Sequence, residues 1–299
     1  MSKKTLRGCL PRSFKRHIRA SLATKVRLNY NCSMGKIRAT HYRIRLRGRG
    51  CPAGGPDAPF SIAVLADLHN RVYRASTAEL IEVIRTQRVD AVFSVGDLVV
   101  AKAGRFEYDQ ALKLFAALTA HVPVYASRGN HETRFARLEA DSFRTYDEKA
   151  RMLGVTFLDN TKADLVLHRV HCEIFGLELP RPYYKGSRGM KLDTAVLGEK
   201  LGTPSGDAFT VLLAHHPKYF ESYADWGADL TLSGHLHGGI MRLPGIGGVI
   251  GPDPSLFPKY DYGRYEKNGR EMVVSAGLGT HTINLRINNP SELVVLDFG

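Results

Sequence analysis

Phe60-Ser61-Ile62-Ala63-Val64-Leu65-Ala66-Asp67-Leu68-His69-Asn70 is an apolar run that stops abruptly at an Asp-x-His pair. Ser61 to Ala66 has the length and β-branched content of a buried strand, and Asp67 and His69 both project from the turn that ends it. A carboxylate and an imidazole at the carboxyl end of a strand make half of a metal site. The same arrangement, a short apolar run followed by a polar cluster, returns four more times. Asp90–Val95 runs into Gly96-Asp97-Leu98, and Val122–Ala126 into Arg128-Gly129-Asn130-His131-Glu132. Phe209–Ala214 runs into His215-His216-Pro217, and Asp229–Ser233 into Gly234-His235-Leu236-His237. One such cluster is ordinarily a hydrogen-bonded turn. Five in order point to ligands gathered at the carboxyl ends of parallel strands, where open α/β sheets place their active sites.

The segments between these turns read as helices and further strands. Ser76-x-x-Glu79 is a capping box opening an amphipathic helix with Leu80, Ile81 and Ile84 on one side. Tyr108–Ala120 is a second helix on a Leu112, Phe115, Leu118 face, and Glu139–Leu153 a third. Val155–Leu158, Asp164–Arg169 and Cys172–Leu177 are short strands with tight connections, which predicts an antiparallel portion. Glu178–Gly189, with Tyr183, Tyr184, Lys185 and Arg188, reads equally as a substrate-facing loop or a surface turn. Ile240–Tyr265 shows little periodicity, and Met272–Ala276 and Leu293–Asp297 are closing strands. On the amino-terminal side, Tyr42, Ile44 and Leu46 alternate with Arg43, Arg45 and Arg47 as in a half-buried edge strand, and Gly48–Pro59 is a linker.

The chain has 299 residues and a net charge of +13. Residues 1–59 hold 15 Lys/Arg against Asp57 alone, so the remainder holds 27 Lys/Arg against 28 Asp/Glu. The body is neutral and the basicity is a tail. Residues 1–36 are therefore expected to be a basic, disordered extension and residues 37–299 the folded domain, with the tail either simply solvated or an electrostatic foot on anionic lipid or nucleic acid. The tail lacks the run of about 18 apolar residues that a membrane span needs, and no apolar core follows its basic start as in a signal peptide. Cys9, Cys32, Cys51 and Cys172 show no CxxC spacing and three lie in the tail or the linker after it, so neither a zinc knuckle nor a disulfide framework is indicated. The expectation is a cytoplasmic protein, peripheral at a membrane where the tail meets anionic lipid, with nucleic acid the weaker partner.

Asp67-x-His69, Gly96-Asp97, Gly129-Asn130-His131-Glu132, His215 and Gly234-His235-x-His237, in that order, resemble the signature blocks of the calcineurin-like metallophosphoesterases. The strings SGHLHGG, FPKYDYGRY, SAGLGTH and LRINNPSELVVLDF resemble the bacterial YaeI/YkuE-like phosphodiesterase branch, which includes hydrolases of UDP-2,3-diacylglucosamine. The chain departs from that branch in its basic, non-apolar first 36 residues, where members often carry a membrane helix, and in Glu132, where Asp is commoner. The resemblance implies an α/β fold of two mixed β-sheets packed as a sandwich and flanked by helices. It further implies that Asp97 bridges two metal ions, with Asp67, His69 and His237 completing one site and Asn130, His215 and His235 the other. His131 is then placed to contact a phosphate oxygen and protonate the leaving group, with Glu132 as its orienter.

That chemistry accounts for the residue types. Phosphoester hydrolysis at neutral pH needs a hydroxide, neutralised non-bridging oxygens and a protonated leaving group, and two divalent ions about 3.5–4 Å apart serve the first two needs. An all-nitrogen and oxygen ligand set suits Mn, Fe, Co, Ni or Zn and not copper(I) or a structural zinc site. His216, extended before Pro217, is expected to turn away from its neighbour, so His215 is taken as the ligand. His17, His41, His121, His168, His171 and His281 are expected to serve structural or surface roles. The expected activity is metal-dependent phosphoester hydrolysis, diester before monoester, on a phospholipid, lipid-linked or diphosphate substrate. A nuclease using the same site and a metal-free binding scaffold are the rival readings.

Overall fold

Strand and helix formation follow the apolar runs closely, and the departures lie where pairing partners are distant in sequence. The computed structural model describes residues 37–299 except 47–49, 51–54, 72–76, 103, 185–189, 240–241, 244–246, 249–257, 281–285 and 287. The basic segment 1–36, Ser76, Lys185, Arg188 and His281 lie outside the described residues.

The first sheet contains β1 (Ile37–Ile44), β2 (Phe60–Leu65), β3 (Ala91–Ser94), β6 (Val124–Ala126), β7 (Val155–Phe157) and β16 (Ser291–Phe298) in the order β1-β16-β2-β3-β6-β7. Its strands from β2 through β7 are parallel, and β16 enters antiparallel to β2. The second contains β8 (Lys162–Leu167), β9 (Val170–Leu177), β10 (Phe209–Ala214), β11 (Leu230–Ser233), β14 (Gly263–Lys267) and β15 (Arg270–Val274) in the order β14-β15-β11-β10-β9-β8. Two small ribbons pair β4 (Val100–Lys102) with β5 (Arg105–Glu107), and β12 (Arg242–Leu243) with β13 (Gly247–Gly248).

Period-two alternation divides each central strand between two cores. Ile62 and Val64 of β2 and Phe93 of β3 face inward and meet Ile174, Val211 and Leu232 of the second sheet. Ala63, Leu65 and Val92 face outward into helices α1 (Ala78–Thr86), α2 (Asp109–Thr119), α3 (Asn130–Leu138) and α4 (Ala140–Met152). Phe175 and Leu212 on the second sheet's outer face pack against Leu197 of α5 (Thr194–Leu201) and Tyr223 of α6 (Phe220–Trp226). The result is four layers, helices outside two mixed sheets, as expected from the resemblance. No helix among the described residues is long and apolar enough to cross a membrane.

Several local expectations need correction. β7 is not part of the antiparallel portion: it adds in parallel to β6, and of the three strands expected there only β8 and β9 form a hairpin, after which β9 pairs in parallel with β10. The end of the aperiodic 240–265 stretch is β14, which pairs antiparallel with β15. α1 begins at Ala78, and the Thr77 hydroxyl donates to Gln110 instead of capping the helix. α2 buries Ala111, Leu114, Phe115 and Leu118, whereas Leu112 is half-buried at the margin of the stripe.

Phe93 is fully buried between the sheets and meets Tyr125 edge-on at 5.9 Å. Phe93→Ala is expected to destabilise the domain by about 3–5 kcal/mol, the usual cost of emptying an aromatic core site. Urea unfolding followed by circular dichroism checks this, and a loss below about 1 kcal/mol would mean that the inter-sheet core collapses around the cavity.

Candidate metal centre

Two aspartates define the centre. Asp67 follows β2 and is 0% exposed, and Asp97 follows β3 and is 1% exposed. The Asp67 N–H donates to Gly96 O at 3.0 Å, and the Asp67 carboxylate accepts from the His235 N–H at 3.0 and 3.2 Å. Asp97 Oδ1 accepts from the His131 N–H at 2.7 Å. The two turns need glycine where they meet: Gly96 has φ +98°, and a Cβ there would lie 2.2 Å from Gly129 N. A Cβ at Gly129 would in turn lie 2.3 Å from Asp97 Oδ1.

The histidines come from both sheets. Asp67, His69 and His237 bring ligand atoms within 4.8 Å of one another, as do His69, Asp97 and His131, and Asp97, His215 and His235. Asp67 Oδ1 is 3.3 Å from His237 Nε2, Asp97 Oδ2 is 3.1 Å from His215 Nε2, and the Nε2 atoms of His69 and His237 face each other at 3.1 Å. Asp67, His69, Asp97, His235 and His237 all have positive φ, between 48° and 69°. Non-glycine residues rarely adopt this conformation, and its clustering here marks a site where geometry overrides backbone preference.

Hydrogen bonds to the backbone set the direction of two lone pairs. Val95 O must accept, so His215 Nδ1 donates to it at 2.9 Å and Nε2 is left as the nitrogen facing Asp97 at 3.1 Å, which becomes a ligand lone pair once the ring is neutral. The Ala101 N–H must donate, so His131 Nδ1 accepts it at 3.0 Å and the neutral ring carries its proton on Nε2. Burial is the larger influence on His131 and lowers its pKa, favouring that neutral form. Burial also acts to lower His215, but the carboxylates of Asp97, Asp67 and Glu132 outweigh it and raise the imidazole to about 9. Burial drives Asp67 up to about 7, with the Asp97 charge adding to it, whereas His215, His131 and His69 overcome burial at Asp97 and hold that carboxyl well below its usual range.

Asn130 opens α3 beside His131, and its buried Oδ1 has no hydrogen-bond partner. Buried carboxylates, a histidine presenting a lone pair and an orphaned amide oxygen form a hard-to-intermediate N/O donor set. Such a set fits divalent cations, which a coordinated carboxylate and neutral imidazole prefer to protons. His216 is extended, at φ −94° and ψ 115°, and belongs to none of the three ligand groups. Burial lowers its pKa to about 3, and its ring stacks on Tyr184 at 5.4 Å. His41 and His171 bind Asp297 and Asp164 at the surface.

The role expected for Glu132 is corrected. Its carboxylate does not orient His131; it accepts the backbone N–H groups of Asp97 (2.8 Å), Leu98 (2.8 Å), Val99 (3.3 Å) and Gly129 (3.0 Å). It thereby ties the turn after β3 to the start of α3, and His131 is oriented instead by β4, an element without a sequence signal of its own. Burial and the Asp97 charge push Glu132 up to about 7 against the pull of these donors. The Glu178–Gly189 segment faces the site in its described part: Tyr184 meets the rings of His235 at 5.3 Å and His215 at 6.2 Å. Its aromatic pair was visible in the sequence, but its place against the histidines was not.

Residues 60–239 match the family model described as calcineurin-like phosphoesterase. The chain is 25% identical over 246 residues to the uncharacterized metallophosphoesterase YkuE of Bacillus subtilis, covering 79% of this chain and 78% of that protein. It is likewise 25% identical over 244 residues to the phosphodiesterase YaeI of Escherichia coli, covering 80% and 82%. Among solved structures it is similar to the phosphopantetheinyl hydrolase of Mycobacterium tuberculosis, with a TM-score of 0.45 and 13% identity over 77% of this chain and 96% of that one.

Glu132→Gln preserves volume but turns an amide NH2 toward backbone donors. It is expected to destabilise the protein by roughly 3 kcal/mol, since leaving a buried donor unsatisfied costs about 1–3 kcal/mol. Denaturant unfolding decides it: unchanged stability with a reduced rate would return Glu132 to the orienting role.

Proposed function

We propose that this chain, which belongs to the calcineurin-like phosphoesterase family and is a metal-dependent phosphoester hydrolase, cleaves phosphodiesters at a two-ion centre. The observation that carries this reading is the convergence of two ligand groups, Asp67–His69–His237 and Asp97–His215–His235, at strand ends of both sheets. In it, Asp67, His69 and His237 would hold one ion and Asn130, His215 and His235 the other, with Asp97 serving both. Diester preference is supported by the likeness to a relative named as a phosphodiesterase. The lipid-linked or diphosphate substrate expected from the sequence strings remains the finer reading, and Mn, Fe, Co, Ni and Zn all suit the donors.

When bound, the ions supply positive charge at the phosphoryl oxygens and acidify the attacking water. Val95 O holds His215 by Nδ1, so Nε2 is the nitrogen a cation would take once it displaces the proton. His131 is held the opposite way, its Nε2–H forward. Using that nitrogen as a ligand, or giving up its proton from the neutral ring, would leave an imidazolate. That orientation favours His131 as a hydrogen-bond donor that stabilises charge on a phosphoryl oxygen, in place of the proton transfer expected from the sequence.

Two variants test these assignments. Asp97→Asn should lose more bound metal by elemental analysis than His235→Ala, because a bridging ligand touches both ions; near-wild-type occupancy in the Asp97 variant would remove the bridge. His131→Ala should lower kcat by roughly 10²–10³-fold, the range for removing one donor to a developing oxyanion, and by similar factors on an alkyl and a nitrophenyl diester. A far greater loss on the alkyl diester, whose leaving group needs a proton, would restore general-acid catalysis. The function itself is tested by comparing a bis-aryl diester, an aryl monoester, a diphosphate-linked lipid and single-stranded DNA with metal-reconstituted protein. A monoester turned over faster than every diester would overturn the proposal.

A further inference from the structure

Residues 276–280, Arg286 and Asn289 lie beyond the matched span of 60–239, yet they meet the metal centre on two sides. Asn289 is 2% exposed, and its side-chain nitrogen donates to the main-chain oxygens of His237 at 2.6 Å and Gly239 at 2.7 Å. Two carbonyl acceptors fix the amide's orientation and fasten both ends of the turn carrying His237. That turn is left-handed throughout, with φ 51°, 62° and 81° at His237, Gly238 and Gly239, a conformation that needs external ties at the non-glycine position. On the other side, Arg286 is 4% exposed and donates to the oxygens of Ala276 (2.8 Å), Gly277 (2.9 Å) and Gly279 (3.0 Å). The Leu278 and Gly279 N–H groups donate onward to Ala66 O (2.9 Å) and Asp67 O (2.6 Å).

We propose that Asn289 is a positioning residue for the Asp67–His69–His237 ion site, acting through His237, with Arg286 bracing the backbone behind Asp67. A ligand must be held within a fraction of an ångström of its bound position, and the groups that hold ligands typically contribute 10–100-fold to metal affinity. Among the described residues the Asn289 amide nitrogen donates to the His237 and Gly239 carbonyls alone, so its effect is expected to fall on the ion site that His237 serves and to spare the Asn130–His215–His235 site. The inference rests on the two-ion reading.

The full chain, stripped with chelator and titrated with Mn(II) by calorimetry, provides the test. Asn289→Leu keeps the volume and removes both donors. One of two equivalents should weaken by roughly 10–100-fold while the other stays within about threefold of wild type. Leu197→Ala, in the core outside the second sheet, is the control: it should lower the thermal midpoint and leave both affinities unchanged. That asymmetry is what a merely structural role would not produce. Two unaltered equivalents in Asn289→Leu, or equal weakening of both, would overturn the proposal; if the Leu variant does not fold, Asn289→Ser is judged by the same criterion. Wild-type protein that takes up fewer than two equivalents would instead bring down the two-ion reading beneath it.

Discussion

The constraint on which this structure depends is the burial of two carboxylates, Asp67 and Asp97, between packed sheets. Isolated charges there carry a heavy desolvation penalty, and two of like sign raise it further. The surroundings answer with donors and cationic partners: N–H groups of His131 and His235 on the carboxylates, His215 beside Asp97, and Arg286 drawing Asp67 down against its burial. The same demand explains the left-handed backbone at five candidate ligands. Such conformations cost of order 1–3 kcal/mol each and persist only where the surrounding fold over-determines them. Here the continuous apolar cores on both faces of each sheet supply that determination.

Within this frame a histidine's role is decided by its backbone partner. His131 and His215 both lie in strand-end polar clusters with Asp97 at hand, yet in the neutral ring one would face the site with a proton and the other with a lone pair. The difference is an N–H at Ala101 against a C=O at Val95. Both partners sit on or beside the β3–β4 connection, whose path is set by Glu132. One buried carboxylate outside the ligand set therefore shapes Asp97 directly and both imidazoles indirectly.

The strand-end clusters were legible because apolar run and polar stop are adjacent in sequence. Phe60–Leu65 and Phe209–Ala214 appear almost residue for residue, and seven of the nine carboxylates and imidazoles in the clusters after such runs, all but Glu132 and His216, do come together. What was not legible depends on distant partners. β4 and β5 are three residues each, too short for periodicity to declare, and α3 begins in a segment whose metal-competent side chains masked its helical start. β7 carries no mark of the sheet it joins: parallel pairing to β6 is a property of the α4 crossover, not of Val155–Phe157. Glu132 sits in a recognisable block, but its acceptors' partners lie 33–35 residues away for three of four bonds.

The centre lies on the seam between the sheets, and neither sheet holds either proposed ion site alone. β2, β3 and β6 deliver Asp67, His69, Asp97 and Asn130, whereas β10 and β11 deliver His215, His235 and His237. Ligand geometry is consequently a function of inter-sheet packing: any change in how Phe93 and Val64 seat against Ile174 and Leu232 moves one half of the donor set relative to the other. The converse holds by linkage, because a cation bound by residues of both sheets in the folded state stabilises that state by an amount that grows with its concentration relative to Kd. Apolar packing and metal affinity are thus two readings of the same interface. The buried carboxylates whose repulsion strains that interface are the groups through which a bound cation would draw it together.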